Sequence, residues 1–387
     1  MNVDDAALAD RLTGILSDLI AIPSAYPPGD STKICAYAAE RMRAAGYETE
    51  VLARTDGVDN VVASLGQGGP ALVFNAHVDT VGIDEAAKWD SDPFRAAVRD
   101  GRIYGLGAGN CKGSMATQIW LAEEIARRGG PKSGTLVFTF VGDEERLGED
   151  GLSYLREIGK VKPDMLVLGA QTSNQLITEE RGVIWARIDT GGRSAHAGNP
   201  ATGDSAILRM VRVINRIEAE LAPRLAARVA GDKQATMNIG LIRGGHNTNA
   251  VPSSCTVEID CRLLPDTRVE DAFAELKDIV ASAGEPAGSV EVTFLTGTNG
   301  FTAPADGPAV TALNQAIETR LGAPARFLNA VGVSDGRYFA DDGIEIINFG
   351  PGSGDEGHAA NESVPISELV DAARIQLDFI ERLLGVD

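Results

Sequence analysis

Leu8, Leu12, Ile15, Leu16 and Leu19 recur at spacings of three and four behind two acids, Asp4 and Asp5, and the pattern stops at Pro23. An apolar stripe of that period with acids at its start predicts an amphipathic helix. A second helix is predicted after Ser31, ending at Gly46. Apolar runs from Ala71 to Ala76, Thr135 to Val141 and Met165 to Leu168 then alternate with helical stretches from Met115 to Ile125 and Leu152 to Ile158. Such runs separated by helices imply a mostly parallel sheet covered on both faces. In sheets of this kind the reactive groups lie on loops beyond the carboxyl ends of the strands.

From residue 182 to residue 294 the pattern changes. Val183 to Asp189, Gln234 to Ile242, Cys255 to Leu263 and Ser289 to Phe294 read as strands, with helices from Ala206 to Leu221 and Val269 to Val280. Strand, helix, two strands, helix, strand is the order of a small α+β, ferredoxin-like sandwich. The helix Val310 to Leu321, the strand Ile344 to Phe349 and the helix Ile366 to Leu384 then resume the first pattern. The predicted class is α/β: one domain made of 1–181 and 295–387, interrupted by a second of 182–294.

Composition narrows the partners. A length of 387 residues with 44% hydrophobic and 23% charged positions fits two globular domains and excludes disorder as the main state. The net charge of −20 disfavours nucleic acid and anionic membrane surfaces. With no apolar run of the ~20 residues that span a bilayer, and an acidic start, a cytoplasmic location is expected. Cys35, Cys111, Cys255 and Cys261 are scattered without a CxxC pair, so reduced thiols are expected.

Three polar clusters follow predicted strands. Asn75-Ala-His77-Val-Asp79 sets a histidine two residues from an aspartate, a common way to present a metal ligand with its tautomer fixed. Asp143-Glu144-Glu145 places three acids at one strand end, which calls for a cation or for one carboxyl to hold its proton. Gly350-Pro-Gly352, then Gly357-His358 and Glu362, follow the strand Ile344 to Phe349, and the glycines let backbone approach a site closely. His246 reads as a loop residue, Cys111 as buried packing, Trp89 as a surface-loop residue and Trp120 as core.

Together with Gly105 to Gly113, Arg193-Ser-Ala-His196, Asn249-Ala-Val-Pro252, Asp260-Cys-Arg262 and Ser334-Asp335-Gly-Arg337, these clusters resemble the M20 family of metallopeptidases and amidohydrolases. The resemblance implies a catalytic domain with an inserted lid and dimerisation domain, and hence a homodimer. In that family two zinc ions share a bridging aspartate at the position of Asn110. One ion is also held at the position of His77 and by a carboxylate in a Gly-Glu-Pro-Thr-like segment, the other at the positions of Glu145 and His358. Glu144 matches the general base, Asp79 the partner of His77, and His196 a lid histidine that reaches the substrate carbonyl, often across a dimer. Asn249 and Arg262 match positions around the substrate's carboxylate end, and Gly352 is taken as backbone beside the substrate.

Two positions depart from that pattern. Asn110 replaces the bridging aspartate, and Leu168-Gly-Ala170-Gln171-Thr172 puts an alanine where a carboxylate ligand belongs. A neutral amide cannot offset the repulsion of two dications a few ångströms apart, and alanine coordinates nothing. The expectation is therefore one divalent ion, zinc by donor type, or none, rather than two. The leading reading is a deacylase acting on a small N-acyl amino acid or related carboxylate. The alternatives are metal-independent acid–base chemistry (acyl transfer, cyclisation or elimination) on the same scaffold, and a carboxylate-binding protein without catalysis.

Overall fold

The structure, a computed structural model, describes residues 3–83, 88–231, 233–330 and 332–386. In chain order its principal elements are α1 (Val3–Ile20), α2 (Thr32–Ala44), β1 (Glu48–Ala53), β2 (Asp59–Gln67), β3 (Ala71–His77), α3 (Lys112–Arg127), β4 (Gly134–Val141), α4 (Leu152–Glu157) and β5 (Met165–Gly169). There follow β6 (Gly182–Gly191), α5 (Ala206–Ala226), β7 (Thr236–Gly244), β8 (Ser254–Leu263), α6 (Val269–Ala281) and β9 (Val290–Thr298). The chain ends with α7 (Pro308–Leu321), β10 (Glu345–Phe349) and α8 (Ile366–Leu384). Two compact units result, one of 1–178, 303–328 and 334–387, the other of 179–302 and 329–333.

The first unit is built on a six-stranded sheet in the order β10-β5-β3-β4-β2-β1. The four strands from β10 to β4 run parallel, while β2 and β1 are added antiparallel at one edge. Central strands are buried on both faces, so β3 and β4 are apolar almost throughout, and Phe74 stacks on Phe138 across them with ring centroids 5.4 Å apart. The expected stripe of α1 lies in the core, with Leu12, Leu16 and Leu19 fully buried. Helix α7 shows why its sequence stops where it does: Pro308 occupies its first turn, and Gly322 closes it in the left-handed region at φ 78°. Parallel pairing also fixes the register, setting His77 opposite Val141 and Gly169 opposite Phe349. The loops that leave these four strands therefore emerge along one edge of the sheet.

The second unit has a four-stranded antiparallel sheet in the order β7-β8-β6-β9, packed on α5 and α6. Its strand–helix–strand–strand–helix–strand sequence is the ferredoxin-like arrangement. The unit extends past 294, because β9 runs to Thr298 and a short antiparallel pair joins Glu179–Glu180 to Phe301–Thr302. That closing pair is only two residues long on each side, too short to show as alternation in the sequence.

Candidate active site

His77 is the last residue of β3 and is 6% exposed. Its Nδ1 lies 2.9 Å from the Asp79 carbonyl oxygen and 3.6 Å from the Asp79 carboxylate, so the backbone oxygen is the closer partner. Asp79 Oδ2 instead accepts from the Glu145 backbone N–H at 3.0 Å, tying the end of β3 to the loop after β4. Burial opposes a charge on His77, but Cys111, Glu144 and Asp79 around it lift its pKa well above the ordinary histidine value.

Asn110 sits at the centre of the cluster. Its Oδ1 is 3.2 Å from His77 Nε2, and its Nδ2 donates to Glu145 Oε1 at 2.7 Å and lies 3.2 Å from His358 Nε2. A carboxylate only accepts, so the face of the amide turned to Glu145 must be its nitrogen. His358 Nε2 is in turn 3.0 Å from Glu145 Oε2, and that contact, ahead of the opposing effect of burial, raises the pKa of His358. His77, Asn110, Glu145 and His358 thus form one continuous polar chain.

The loop carrying Asn110 is held from below by Glu362, which is 2% exposed. Its carboxylate accepts from the backbone N–H groups of Gly107 (2.8 Å), Gly109 (2.9 Å) and Asn110 (2.7 Å). A Cβ at Gly109 would press on the Gln171 carboxamide, so the two pack closely as they stand. Gln171 therefore fills space beside Asn110, next to Ala170, and its buried Nε2 makes no hydrogen bond among the described residues. The loop after β5 offers no acid to this cluster.

The three acids after β4 take separate tasks. Asp143 turns away at φ 71°, pairs with Arg146 and accepts from the Asp150 N–H at 2.9 Å, so it organises its own loop. Glu144 and Glu145 face the cluster, where they and His77 bring one ligand atom each within 4.8 Å of one another. Burial first, then the charges of Asp335 and Glu145, push the Glu144 carboxyl up to about 8, against the opposing pull of His77 and Arg337. Arg337, given no role by the sequence reading, is 5% exposed and points Nη1 at Glu144 Oε1 from 3.9 Å, with no hydrogen bond on that nitrogen. Its Nη2 bonds the Tyr338 hydroxyl at 2.8 Å and lies 3.4 Å from Asp335, whose other oxygen is 3.4 Å from Asn75 Nδ2. The Asp-Gly-Arg motif is visible in the sequence, but its burial under Glu144 is a tertiary fact.

Gly352 adopts φ 91° and commits both backbone polar groups to the protein: its N–H donates to Glu368 at 2.8 Å and its carbonyl accepts from the Ser173 N–H at 2.7 Å. Gly352 is buried, and its Cα side packs on Gly109, Val364 and Gln171, so the expected backbone contact with a substrate is not offered here. In the second unit, His196 and Asn249 are exposed neighbours: His196 bridges to Ala250, and Asn249 O accepts from the Ala197 N–H at 2.9 Å. Arg262 lies elsewhere in that unit, near the far end of β8, where it forms a double ion pair with Asp260 at 2.8 and 2.9 Å. Ser254, where β8 begins beside the His196 loop, pairs with Gly191, whereas Arg262 pairs with Val183. Eight residues of strand separate those two ends, about 26 Å at the usual rise.

The sequence pattern described as Peptidase family M20/M25/M40 matches residues 73–382. Succinyl-diaminopimelate desuccinylase of Bordetella petrii is 30% identical over 402 residues, covering 99% of each chain. Among solved structures, an M20 metallo-carboxypeptidase from Sulfolobus solfataricus superposes with a TM-score of 0.77 at 18% identity, over 96% of this chain and 98% of the other. A dinuclear metal-binding M20 peptidase of Bacillus subtilis does so with a TM-score of 0.72 at 16% identity, over 99% and 100%. On the extent of these matches, the chain belongs to peptidase family M20/M25/M40, a family of amide-bond hydrolases.

Proposed function

We propose that this chain hydrolyses the amide bond of a small N-acyl amino acid or a related carboxylate, with a metal centre reduced to one divalent ion. The observation that carries the reading is the donor set. A pair of dications needs anionic oxygen between them, and here that place is taken by Asn110, with its amide nitrogen turned to Glu145 and its oxygen to His77. A second carboxylate is missing at Ala170. The residues present do not fit two ions, whereas Glu145 and His358, whose ligand atoms lie 3.0 Å apart, would hold one. Such an ion, when bound, polarises a carbonyl and makes water a stronger acid.

The chain's own groups supply the rest. Glu144, buried beside the cluster and backed by Arg337, takes the proton of the attacking water and passes it to the departing amine. Asp79 holds the ring of His77 and the backbone of Glu145 in place together. His196 is assigned the hydrogen bond to the carbonyl oxygen, and Asn249 and Arg262 the substrate's carboxylate. With His196 and Asn249 at one end of the second unit's sheet and Arg262 at the other, a small substrate meets both only if two copies contribute. A homodimer is therefore part of the reading. The exposed edge strand β7, with Leu241 44% and Ile242 57% exposed, supports self-association.

The test is elemental analysis of the purified protein together with chelation. About one ion per chain is expected, with hydrolysis of N-acyl amino acids falling at least about a hundredfold on its removal. Hydrolysis unchanged after chelation would sink the mechanism. One feature favours a second reading, metal-independent acid–base chemistry: burial lifts the Glu144 carboxyl to about 8, a range in which it can both give and take a proton near neutrality. In that case metal-free protein turns over, and Glu144→Gln abolishes the turnover.

A further inference from the structure

A cavity of about 540 Å³ opens in the first unit beside His358. Val81, Ile83, Trp89, Leu106 and Ala359 form its apolar walls, and Lys88 stands on it. The volume is that of a small-molecule pocket, and its side-chain walls are apolar apart from Lys88 and His358.

Hydrogen bonds fix this wall in place. Asn361, at φ 63°, donates from Nδ2 to the Lys88 carbonyl at 3.1 Å and accepts on Oδ1 from the Asp90 N–H at 2.9 Å. Those two bonds bracket Trp89 and pin it to the loop that carries His358. Opposite, Val81 belongs to a short parallel pairing with Tyr26, and Leu106 is 3% exposed with its N–H donated to the Pro93 carbonyl at 2.8 Å. His358 is common to cavity and reaction centre: it lines the former, and its Nε2 is 3.0 Å from Glu145. An occupant of the cavity therefore lies one side chain away from the groups that act on the amide.

We infer that this cavity is the acyl-group subsite, and that it takes a medium-sized apolar acyl group, such as a hexanoyl chain or a phenylacetyl ring, in preference to a succinyl group. A succinyl group would leave its second carboxylate against Val81, Ile83 and Trp89, in a chain of net charge −20. An apolar group instead gains from burial against the same walls. The inference rests on the amide-hydrolase reading, since only that reaction defines an acyl side.

The experiment has a binding arm and a rate arm, both on the full-length protein. In the first, hexanoate, phenylacetate and succinate, the acids that hydrolysis would release, are titrated calorimetrically and by tryptophan fluorescence. In the second, initial rates are measured on N-hexanoyl, N-acetyl and N-succinyl derivatives of alanine, methionine and glutamate. Hexanoate and phenylacetate are expected to bind at least about tenfold more tightly than succinate. Trp89→Ala, which removes a wall, and Ala359→Trp, which fills the cavity, are each expected to erase that preference while the circular dichroism spectrum is unchanged. Succinate binding as tightly as hexanoate, or a preference that survives both variants, would overturn the assignment. Preferential binding with no hydrolysis of any derivative leaves the apolar subsite standing and removes the hydrolase reading. Hydrolysis with no preference in either arm does the reverse.

Discussion

At the scale of single residues, two side chains carry the proposal of a one-ion centre. Asn110 divides into an oxygen face and a nitrogen face, and the nitrogen face is the one turned to Glu145 and His358. Ala170 supplies no donor, and the neighbouring Gln171 puts a neutral amide beside Gly109 instead. If these two substitutions account for the reduced centre, Asn110→Asp combined with Ala170→Glu is expected to raise the zinc content from about one to about two ions per chain, read by mass spectrometry of the dialysed protein. A double variant that still binds one ion would show that another feature limits the centre. Both departures were legible in the sequence, because each is a gap in an otherwise complete motif. The position of Gln171 and the guanidinium of Arg337 behind Glu144 were not. Each depends on which loops meet at the sheet edge, and Arg337 is nearly two hundred residues from Glu144 along the chain.

At the scale of elements, periodicity served well wherever burial was one-sided or complete, as in α1, α8, β3 and β4, whose apolar positions are set by the core they face. It missed β1, an edge strand with exposed Glu48 and Val51 that needs no apolar run, and it missed β2, although Val61, Val62 and Ala63 there are buried. Charge at an element end was equally opaque from sequence. Glu124, in the last turns of α3, accepts from Arg127 at 2.6 Å and from Arg128 at 2.8 Å. Its bond to Arg127, then that to Arg128 against the opposing effect of burial, lowers its pKa from 4.5 to about 2. A carboxyl whose folded pKa is depressed adds stability above its unfolded pKa and loses it as pH falls through the folded value. Glu124→Gln is thus expected to lower stability by about 1 kcal/mol near neutrality. By pH 3 the gap between the two proteins in urea melts is expected to shrink by roughly half. A gap constant from pH 7 to pH 3 would mean that the carboxylate charge contributes nothing to the clamp.

At the scale of the whole molecule, the proposed reading divides one chemistry between the two units and calls for a second copy of the chain. The proposed metal ligands and Glu144 are in the first unit, while His196, Asn249 and Arg262 are in the second, the first two of these lying at the opposite end of the sheet from the third. If His196 acts on the site of a partner, two inactive proteins should repair each other. Glu144→Gln removes the base and His196→Ala the carbonyl donor, so neither homodimer turns over. A mixed dimer holds one site with both defects and one with neither. Random pairing of equal amounts makes half the dimers mixed, and co-expression is therefore expected to restore about a quarter of wild-type activity, with each variant alone near zero. Without trans contribution every site keeps one defect and the mixture stays inactive. Light scattering of the same samples separates that outcome from a failure to pair, because a monomer at working concentration would remove the shared site altogether.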